Sequence, residues 1–370
     1  MSARDQLTPI LALADVEVNG ARAWDIQVHN PDLFSRVAAE GSLGFGEAYM
    51  DGWWDCEALD EFFHRVVGAD LGRRLELTPA LAWLAITSRL QNRQTKARAR
   101  RVAKVHYDLD VDVFEATFDA RLTGSCAYWL NAGDLDQAQE AKLDLVCRKI
   151  GLEPGQRVLD IGCGWGAFMG YAAERYAARC VGVTVSTEQV AYVKRRYEGQ
   201  PVEPLLMDYR DYSGEVDHVV SMGMFEHVGH RNYRAYFRKA RSVLKDGGLF
   251  LLHTIVSGER SPSIEPWLDR YIFPNGVLPT VGQIGQATED LFVIEDFENF
   301  GAYYDRTLMA WHANFMRRRG AMAAKYGERF CRMWDYYLAC CAGGFRSRRI
   351  SVGQFVLSPH GVPGGWRLER

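Results

Sequence analysis

A chain of 370 residues, 48% hydrophobic and 25% charged, has the composition of a globular protein and the length for one large domain with a smaller one. It has no apolar run of the roughly eighteen residues that a membrane-spanning helix needs, and Asp5 and Asp15 interrupt the N-terminal apolar segment where a signal peptide would be continuous. The net charge of −3 conceals a basic block: no acid stands between Glu76 and Asp108, while Arg89, Arg93, Lys96, Arg98, Arg100, Arg101 and Lys104 do.

In chain order, Asp15–Val18 alternates and ends in Asn19-Gly20, which with Trp24–His29 predicts a hairpin. Gly41–Asp55 is rich in glycine and aromatic residues, and Leu59–Val67 has helical spacing. The basic block follows, and its density suits lipid or nucleic-acid phosphates as well as a solvated linker. Beyond it the pattern predicts a helix over Leu135–Ile150, a strand over Val158–Ile161, a helix near Phe168–Tyr176 and a strand over Cys180–Val185. A helix near Glu188–Tyr197 and strands at Val202–Met207 and Asp217–Met222 come next. A helix over Tyr233–Leu244, stopped by Asp246-Gly247-Gly248, precedes a last strand at Leu249–Ile255. Strands alternating with helices imply an α/β fold whose parallel sheet is covered on both faces, with ligands bound beyond the carboxyl ends of its strands. Those ends carry Gly162–Gly166, Thr184–Gln189, Asp208-Tyr209, Gly223–His227 and His253–Ile255.

The most specific segment is Val158-Leu-Asp-Ile-Gly-Cys-Gly-Trp-Gly-Ala-Phe168. An apolar strand ends at Asp160, glycines follow at 162, 164 and 166, and a helix begins directly after them. Such a turn offers a ligand bare main chain and free helix N–H groups. The spacing is G-x-G-x-G rather than the G-x-G-x-x-G of dinucleotide sites, which suits S-adenosylmethionine (SAM). The eight cysteines lack framework spacing and read as free thiols, and no C-x-x-C or Cys/His cluster points to a metal. Taken alone, Cys126 reads equally as a small buried hydrophobe, His253 as a satisfied strand-end histidine, Glu226 as a helix cap and Asp208 as the cap of the turn before Arg210-Asp211.

From about Gly44 to the C-terminus the chain resembles the cyclopropane-fatty-acyl-phospholipid synthases, relatives of the mycolic acid cyclopropane synthases. The resemblance rests on Gly46-Glu-Ala-Tyr-Met-Asp-Gly-Trp-Trp-Asp-Cys56, His106-Tyr-Asp-Leu109, Ser125-Cys-Ala-Tyr-Trp129 and Val158–Phe168. It continues through Met224-Phe-Glu-His-Val-Gly229, Leu251-Leu-His-Thr-Ile255, Tyr271-Ile-Phe-Pro-Asn-Gly276, Thr307-Leu-Met-Ala-Trp311 and Cys341-Ala-Gly-Gly-Phe345. It implies a Rossmann-like SAM-dependent methyltransferase domain over residues 105–370, a basic linker over 89–104 and a smaller lipid-associated domain over 1–88. The implied reaction moves a methylene group from SAM to the cis double bond of an unsaturated phospholipid acyl chain and closes a cyclopropane ring. An alternative, a SAM-dependent lipid methyltransferase giving methyl-branched or methylene chains, shares the same cation and differs in its fate.

The resemblance also implies site residues. Gly162, Gly164 and Gly166 lie around the methionine and ribose of SAM, with Asp160 and Ser125 also among the cofactor-binding residues; Thr184 and Gln189 take the ribose, and Asp208 and Tyr209 the adenine. A bicarbonate ion serves as general base, held by Cys126, Glu226, His253, the backbone of Ile255, and Tyr304. Cys341 matches a cysteine often designated active in the family and reads here as pocket-lining. Tyr107, Tyr128, Phe225, Tyr271, Phe273 and Trp311 are candidate walls for a dry pocket. Two departures stand out: Gly124 replaces a family tyrosine, leaving Ser125 and water to hold the SAM carboxylate, and Asp110-Val111 replaces Gly-Asn after His-Tyr-Asp-Leu. Expected partners are unsaturated phospholipids and an anionic membrane surface, without nucleic acid, and a homodimer is carried over from the family. The expected location is cytoplasmic, peripheral to the inner face of the membrane.

Overall fold

The computed structural model describes residues 3–70, 110–261 and 263–367, so the basic block and His106–Leu109, including Tyr107, lie outside the described residues. The described elements begin with α1 (Ala3–Ala12), β1 (Gln27–Val28), α2 (Leu33–Met50), β2 (Trp54–Asp55) and α3 (Leu59–Gly68). Next come α4 (Val111–Thr117), α5 (Leu135–Lys149), β3 (Arg157–Ile161), α6 (Ala167–Tyr176), β4 (Arg179–Thr184), α7 (Thr187–Arg196), β5 (Val202–Leu206) and β6 (Val216–Met222). The last are α8 (Tyr233–Val243), β7 (Leu244–Ser257), α9 (Pro266–Tyr271), α10 (Val281–Thr288), β8 (Val293–Asn299), α11 (Ala302–Tyr326), α12 (Glu328–Arg346) and β9 (Ile350–Ser358).

The chain forms two compact units. One comprises Met1–Gln91, Pro262–Pro274 and Tyr304–Ile350; the other comprises Asn92–Ser261, Asn275–Tyr303 and Ser351–Arg370. The compact units therefore do not follow the contiguous division at residues 88 and 105. The reason is close helix packing in the first unit, where α12 reaches back to α3. A Cβ on Gly343 would lie 2.5 Å from the backbone nitrogen of His64, so only glycine lets these helices approach so closely. Phe63 meets Tyr336 edge-on at 4.9 Å, and Arg346 pairs with Asp60 at 2.6 Å and with Asp305 at 3.0 Å.

The predicted hairpin at Asn19-Gly20 does not form. Gln27–Val28 pairs antiparallel with Trp54–Asp55 instead, and Val18 meets Ile26 only through an isolated bridge. A type I′ turn needs positive φ at both central residues, and here Asn19 has it (φ 57°) while Gly20 does not. The buried Asp25 carboxylate organises the loop, accepting from the backbone amides of Glu17 at 2.8 Å and Arg22 at 2.9 Å. The Gly41–Asp55 stretch is largely helix α2, broken at Gly41 (φ 62°).

The second unit is built on a seven-stranded sheet of order β5-β4-β3-β6-β7-β9-β8. The first five strands are mutually parallel, and β8 runs antiparallel to β9. This is the expected α/β architecture. From β3 the chain winds outward to β4 and β5, then returns to the other side of β3 for β6 and β7, so the topological switch falls between β3 and β6. One face of the sheet is buried by Leu159, Val181, Val219, Phe250 and Leu252 against Tyr236, Phe237 and Ala240 of α8 and Ile284 of α10. The Asp246-Gly247-Gly248 signal is not a helix stop. It lies inside the fourteen-residue strand β7, where a Cβ on Gly248 would fall 2.2 Å from the Asp217 carbonyl, and the register shifts opposite it between Val216 and His218.

Candidate active site

The glycine loop after β3 forms as its spacing predicts. Gly162, Gly164 and Gly166 have φ of 83°, 52° and 81°, all in the region that favours glycine. They differ in surroundings. A Cβ on Gly162 would strike Met224 at 2.7 Å and one on Gly166 would strike Val193 at 2.9 Å, whereas one on Gly164 would meet nothing within 4 Å. Two glycines thus permit close packing and the third leaves an open face of bare backbone. Gly223, at the end of β6, is open in the same way, with φ 71°. Asp160, at the end of β3, is 3% exposed, and burial pushes its carboxyl up to about 7 against the opposing pull of Lys142.

At the end of β4 the Thr184 hydroxyl donates to Gln189 Oε1 at 2.6 Å, and the Ser186 side chain caps α7 by accepting from the Gln189 amide. These two polar side chains are buried and fixed to one another, on the strand end where a ribose partner is expected. Asp208, after β5, does cap its turn: its carboxylate accepts from the Arg210 amide at 3.0 Å and from the Arg210 guanidinium at 2.7 Å. Tyr209 lies edge-on to Tyr236 at 5.2 Å.

The ends of β6 and β7 carry the second group. Gly223 N–H donates to the His253 carbonyl at 3.0 Å, which ties the loop bearing Glu226 to β7. Glu226 is 7% exposed; its Oε1 accepts from the Ile255 amide at 2.7 Å, while Oε2 is buried with no hydrogen-bond partner among the described residues. Burial pushes the Glu226 carboxyl up to about 7, with the Ile255 amide opposing. His253 is buried, and Gln354 Nε2 on β9 donates to its Nδ1 at 3.2 Å, which leaves the ring proton on Nε2. Burial, reinforced by Lys142 and Lys149, pushes the imidazole well below its usual range and keeps it neutral. The Ile255 amide is engaged by Glu226, so the expected contact from this backbone requires that bond to be shared or exchanged.

Ser125 and Cys126 are buried on the segment before α5, where Lys142 Nζ donates to Ser125 Oγ at 2.8 Å. Gly124 lies beside Phe118: a Cβ there would meet its ring at 3.2 Å. Tyr128 stands edge-on to Phe300 and Tyr303, at 5.4 and 5.5 Å. Phe225 is fully buried in the core, stacked on Tyr233 at 4.4 Å. Tyr304, Tyr271, Phe273, Trp311 and Cys341 belong to the first unit. There Tyr304 packs on Phe345 at 4.4 Å, and Tyr271 donates to Glu47 at 2.7 Å. Burial pushes the Cys341 thiol up to about 12, so it carries no thiolate at neutral pH, in keeping with a pocket-lining reading.

Sequence reasoning missed Lys142, Lys149 and Gln354. For the lysines a signal existed. Leu135, Lys142 and Lys149 recur every seven residues, so both lysines share a helix face with a buried leucine. Gln354 sits in an otherwise apolar strand with no motif around it.

The family described as mycolic acid cyclopropane synthetase matches residues 94–355. The cyclopropane-fatty-acyl-phospholipid synthase of Escherichia coli K12 is 49% identical over 361 residues, 98% of this chain and 94% of that protein. The tuberculostearic acid methyltransferase UfaA1 of Mycobacterium tuberculosis is 35% identical over 383 residues, 95% of this chain and 88% of that protein. Among solved structures, the mycolic acid cyclopropane synthase CmaA1 complexed with SAH and CTAB superposes with a TM-score of 0.66 at 33% identity, covering 70% of this chain and 97% of that one.

Proposed function

Because this chain belongs to the mycolic acid cyclopropane synthetase family, we propose that it adds a methylene group from SAM across the cis double bond of an unsaturated phospholipid acyl chain, giving a cyclopropane ring. The residues fit the cofactor: the open backbone at Gly164 and Gly223 leaves room that a side chain would fill, and Thr184, Gln189 and Ser125 supply polar groups around it. When bound, SAM supplies an electrophilic methyl group. The chain's own residues must then exclude water and hold a base for the proton that departs before the ring closes.

The observation that carries this reading is the environment of Glu226 at the end of β6, with His253 buried on the neighbouring strand β7. A buried carboxylate with one oxygen on the Ile255 amide and the other unpartnered wants an O–H donor, and bicarbonate carries one. A neutral His253, its proton on Nε2, is a donor suited to the same ion's charged oxygens. In this proposal Glu226 orients bicarbonate, His253 stabilises it and Cys126 lines the small space beside it. Tyr304 joins the set through the resemblance alone.

The test is incubation of the protein with SAM and unsaturated phospholipid vesicles, with the acyl chains analysed by mass spectrometry. Chains that gain one methylene and lose the alkene without a methyl branch are expected, at a rate that falls when dissolved CO₂ is removed and recovers with bicarbonate. Methyl-branched or exocyclic-methylene products would favour lipid methyl transfer, which the likeness to UfaA1 keeps in play. A rate indifferent to bicarbonate would overturn the assignment of the base.

A further inference from the structure

Helix α5 buries two ammonium groups on one face, and their surroundings differ in charge. Lys149 is matched: its Nζ lies 2.7 Å from Glu298 and 3.4 Å from Asp296. Lys142, two turns earlier and 0% exposed, meets the Ser125 hydroxyl at 2.8 Å and the Met222 sulfur at 4.0 Å, neither of which carries charge. Asp119 and Asp160 act on it through space. The Asp119 carboxylate is already engaged by the amides of Thr123 at 2.8 Å and Arg121 at 3.0 Å. A fully buried cation without a contacting counter-charge costs several kcal/mol, and an anion brought to it removes much of that cost.

We propose that Lys142 is a positioning residue for a carboxylate of the ligand, acting through Ser125: the ammonium donates to Ser125 Oγ and leaves the hydroxyl proton to donate to the α-carboxylate of SAM. The arrangement answers the departure at Gly124. Where relatives carry a tyrosine beside this segment, here a charge-polarised serine supplies the donor, and a serine hydroxyl can accept from one partner while donating to another. Hydrogen bonds chained in a dry interior also reinforce one another. The inference rests on the SAM reading above and extends it to a residue that has no contact of its own with the cofactor.

The test compares two ligands that share the adenosine and sulfur, of which only the first carries the aminocarboxylate end: S-adenosylhomocysteine and 5′-methylthioadenosine, with binding measured by calorimetry. In Lys142→Met, affinity for S-adenosylhomocysteine is expected to fall about ten-fold, the scale of one charge-assisted hydrogen bond, while affinity for 5′-methylthioadenosine changes less than about two-fold. Ser125→Ala, a milder change, should lose the same discrimination and guards against a Met variant that fails to fold. Equal losses for both ligands would make Lys142 merely structural and overturn the proposal. Unchanged S-adenosylhomocysteine affinity with loss of the bicarbonate response would overturn it too, by giving the ammonium to the carbonate ion. Wild-type protein that binds neither ligand would instead refute the SAM reading itself.

Discussion

Glu226 shows what a reactive arrangement costs at the scale of one residue. Its carboxyl is buried and shifted from 4.5 to about 7, so the folded state holds the proton more tightly than the unfolded state does. The sign follows from linkage: the associated stability is fully present below about pH 4.5 and is lost as pH rises through about 7. A shift of this size corresponds to roughly 3 kcal/mol, an upper figure because local relaxation and water entry reduce it. Glu226→Gln keeps an oxygen for the Ile255 amide and removes the ionisation. Chemical denaturation should find the variant close to wild type near pH 4.5 and more stable by up to roughly 3 kcal/mol at pH 8. Turnover should fall by orders of magnitude while SAM affinity holds, because the loss acts on a later step. A variant less stable than wild type at pH 8 would mean that the ionised carboxylate is compensated by a partner. His253 bears on the same point from the opposite side: buried and neutral, it avoids the cost of a charge, and its ring contacts Gln354.

At the scale of elements, the parallel strands were legible because β3, β4, β6 and the second half of β7 are short apolar runs set between helices of clear period. The glycine loop was legible because its positive φ values leave little choice of residue. What could not be read has physical causes. Asn19-Gly20 has the composition of a hairpin turn, but the Asp25 carboxylate of the same loop binds the backbone amides of Glu17 and Arg22 on either side of it. Asp246-Gly247-Gly248 looks like a helix stop, but Gly248 is required by close approach to Asp217 across the sheet. The compact units are not contiguous because helix α12 packs with α3, and nothing local in 328–346 announces a partner almost three hundred residues earlier. The strand ends were legible from the alternation of strands and helices, while the roles of the residues on them came from the resemblance; Lys142 carries only its seven-residue spacing from Leu135 as a sign of burial. The α3–α12 contact yields its own prediction. Gly343→Val would force a branched side chain into the His64 backbone, and such overpacking costs about 1–3 kcal/mol or more. A thermal melt should show a clear loss of stability, whereas Gly285→Ala in α10, with nothing within 4 Å of the added carbon and no positive φ, should cost nothing measurable. Equal melts for the two variants would mean that α12 can slide away from α3.

At the scale of the whole molecule the substrate sets the problem, since an acyl chain inside a bilayer must reach a protein in which no described helix is long and apolar enough to cross a membrane. The basic block is the feature suited to that task. It places seven Lys and Arg residues between 89 and 104 with no acid among them, in a chain whose net charge is −3. Near an anionic surface each such residue contributes about 1 kcal/mol, and the attraction fades within a Debye length of about 8 Å at physiological salt. We propose that the seven together, about 7 kcal/mol before losses to geometry and screening, dock the protein reversibly on an anionic surface. A solvated linker of the same composition would bind no lipid in a salt-dependent way, so co-sedimentation with vesicles separates the two. Wild-type protein should pellet with vesicles containing anionic phospholipid at low salt, pellet less as salt rises, and stay in solution with purely zwitterionic vesicles. Changing Arg98, Arg100 and Arg101 together to serine should release the protein from anionic vesicles while leaving S-adenosylhomocysteine binding unchanged, because the block is remote in sequence from the glycine loop. On vesicle substrate the triple variant should lose turnover mainly through a raised KM, since docking precedes the chemistry and does not alter it. A triple variant that still pellets fully at both low and high salt would assign membrane contact to an apolar surface elsewhere and leave the basic block as a linker.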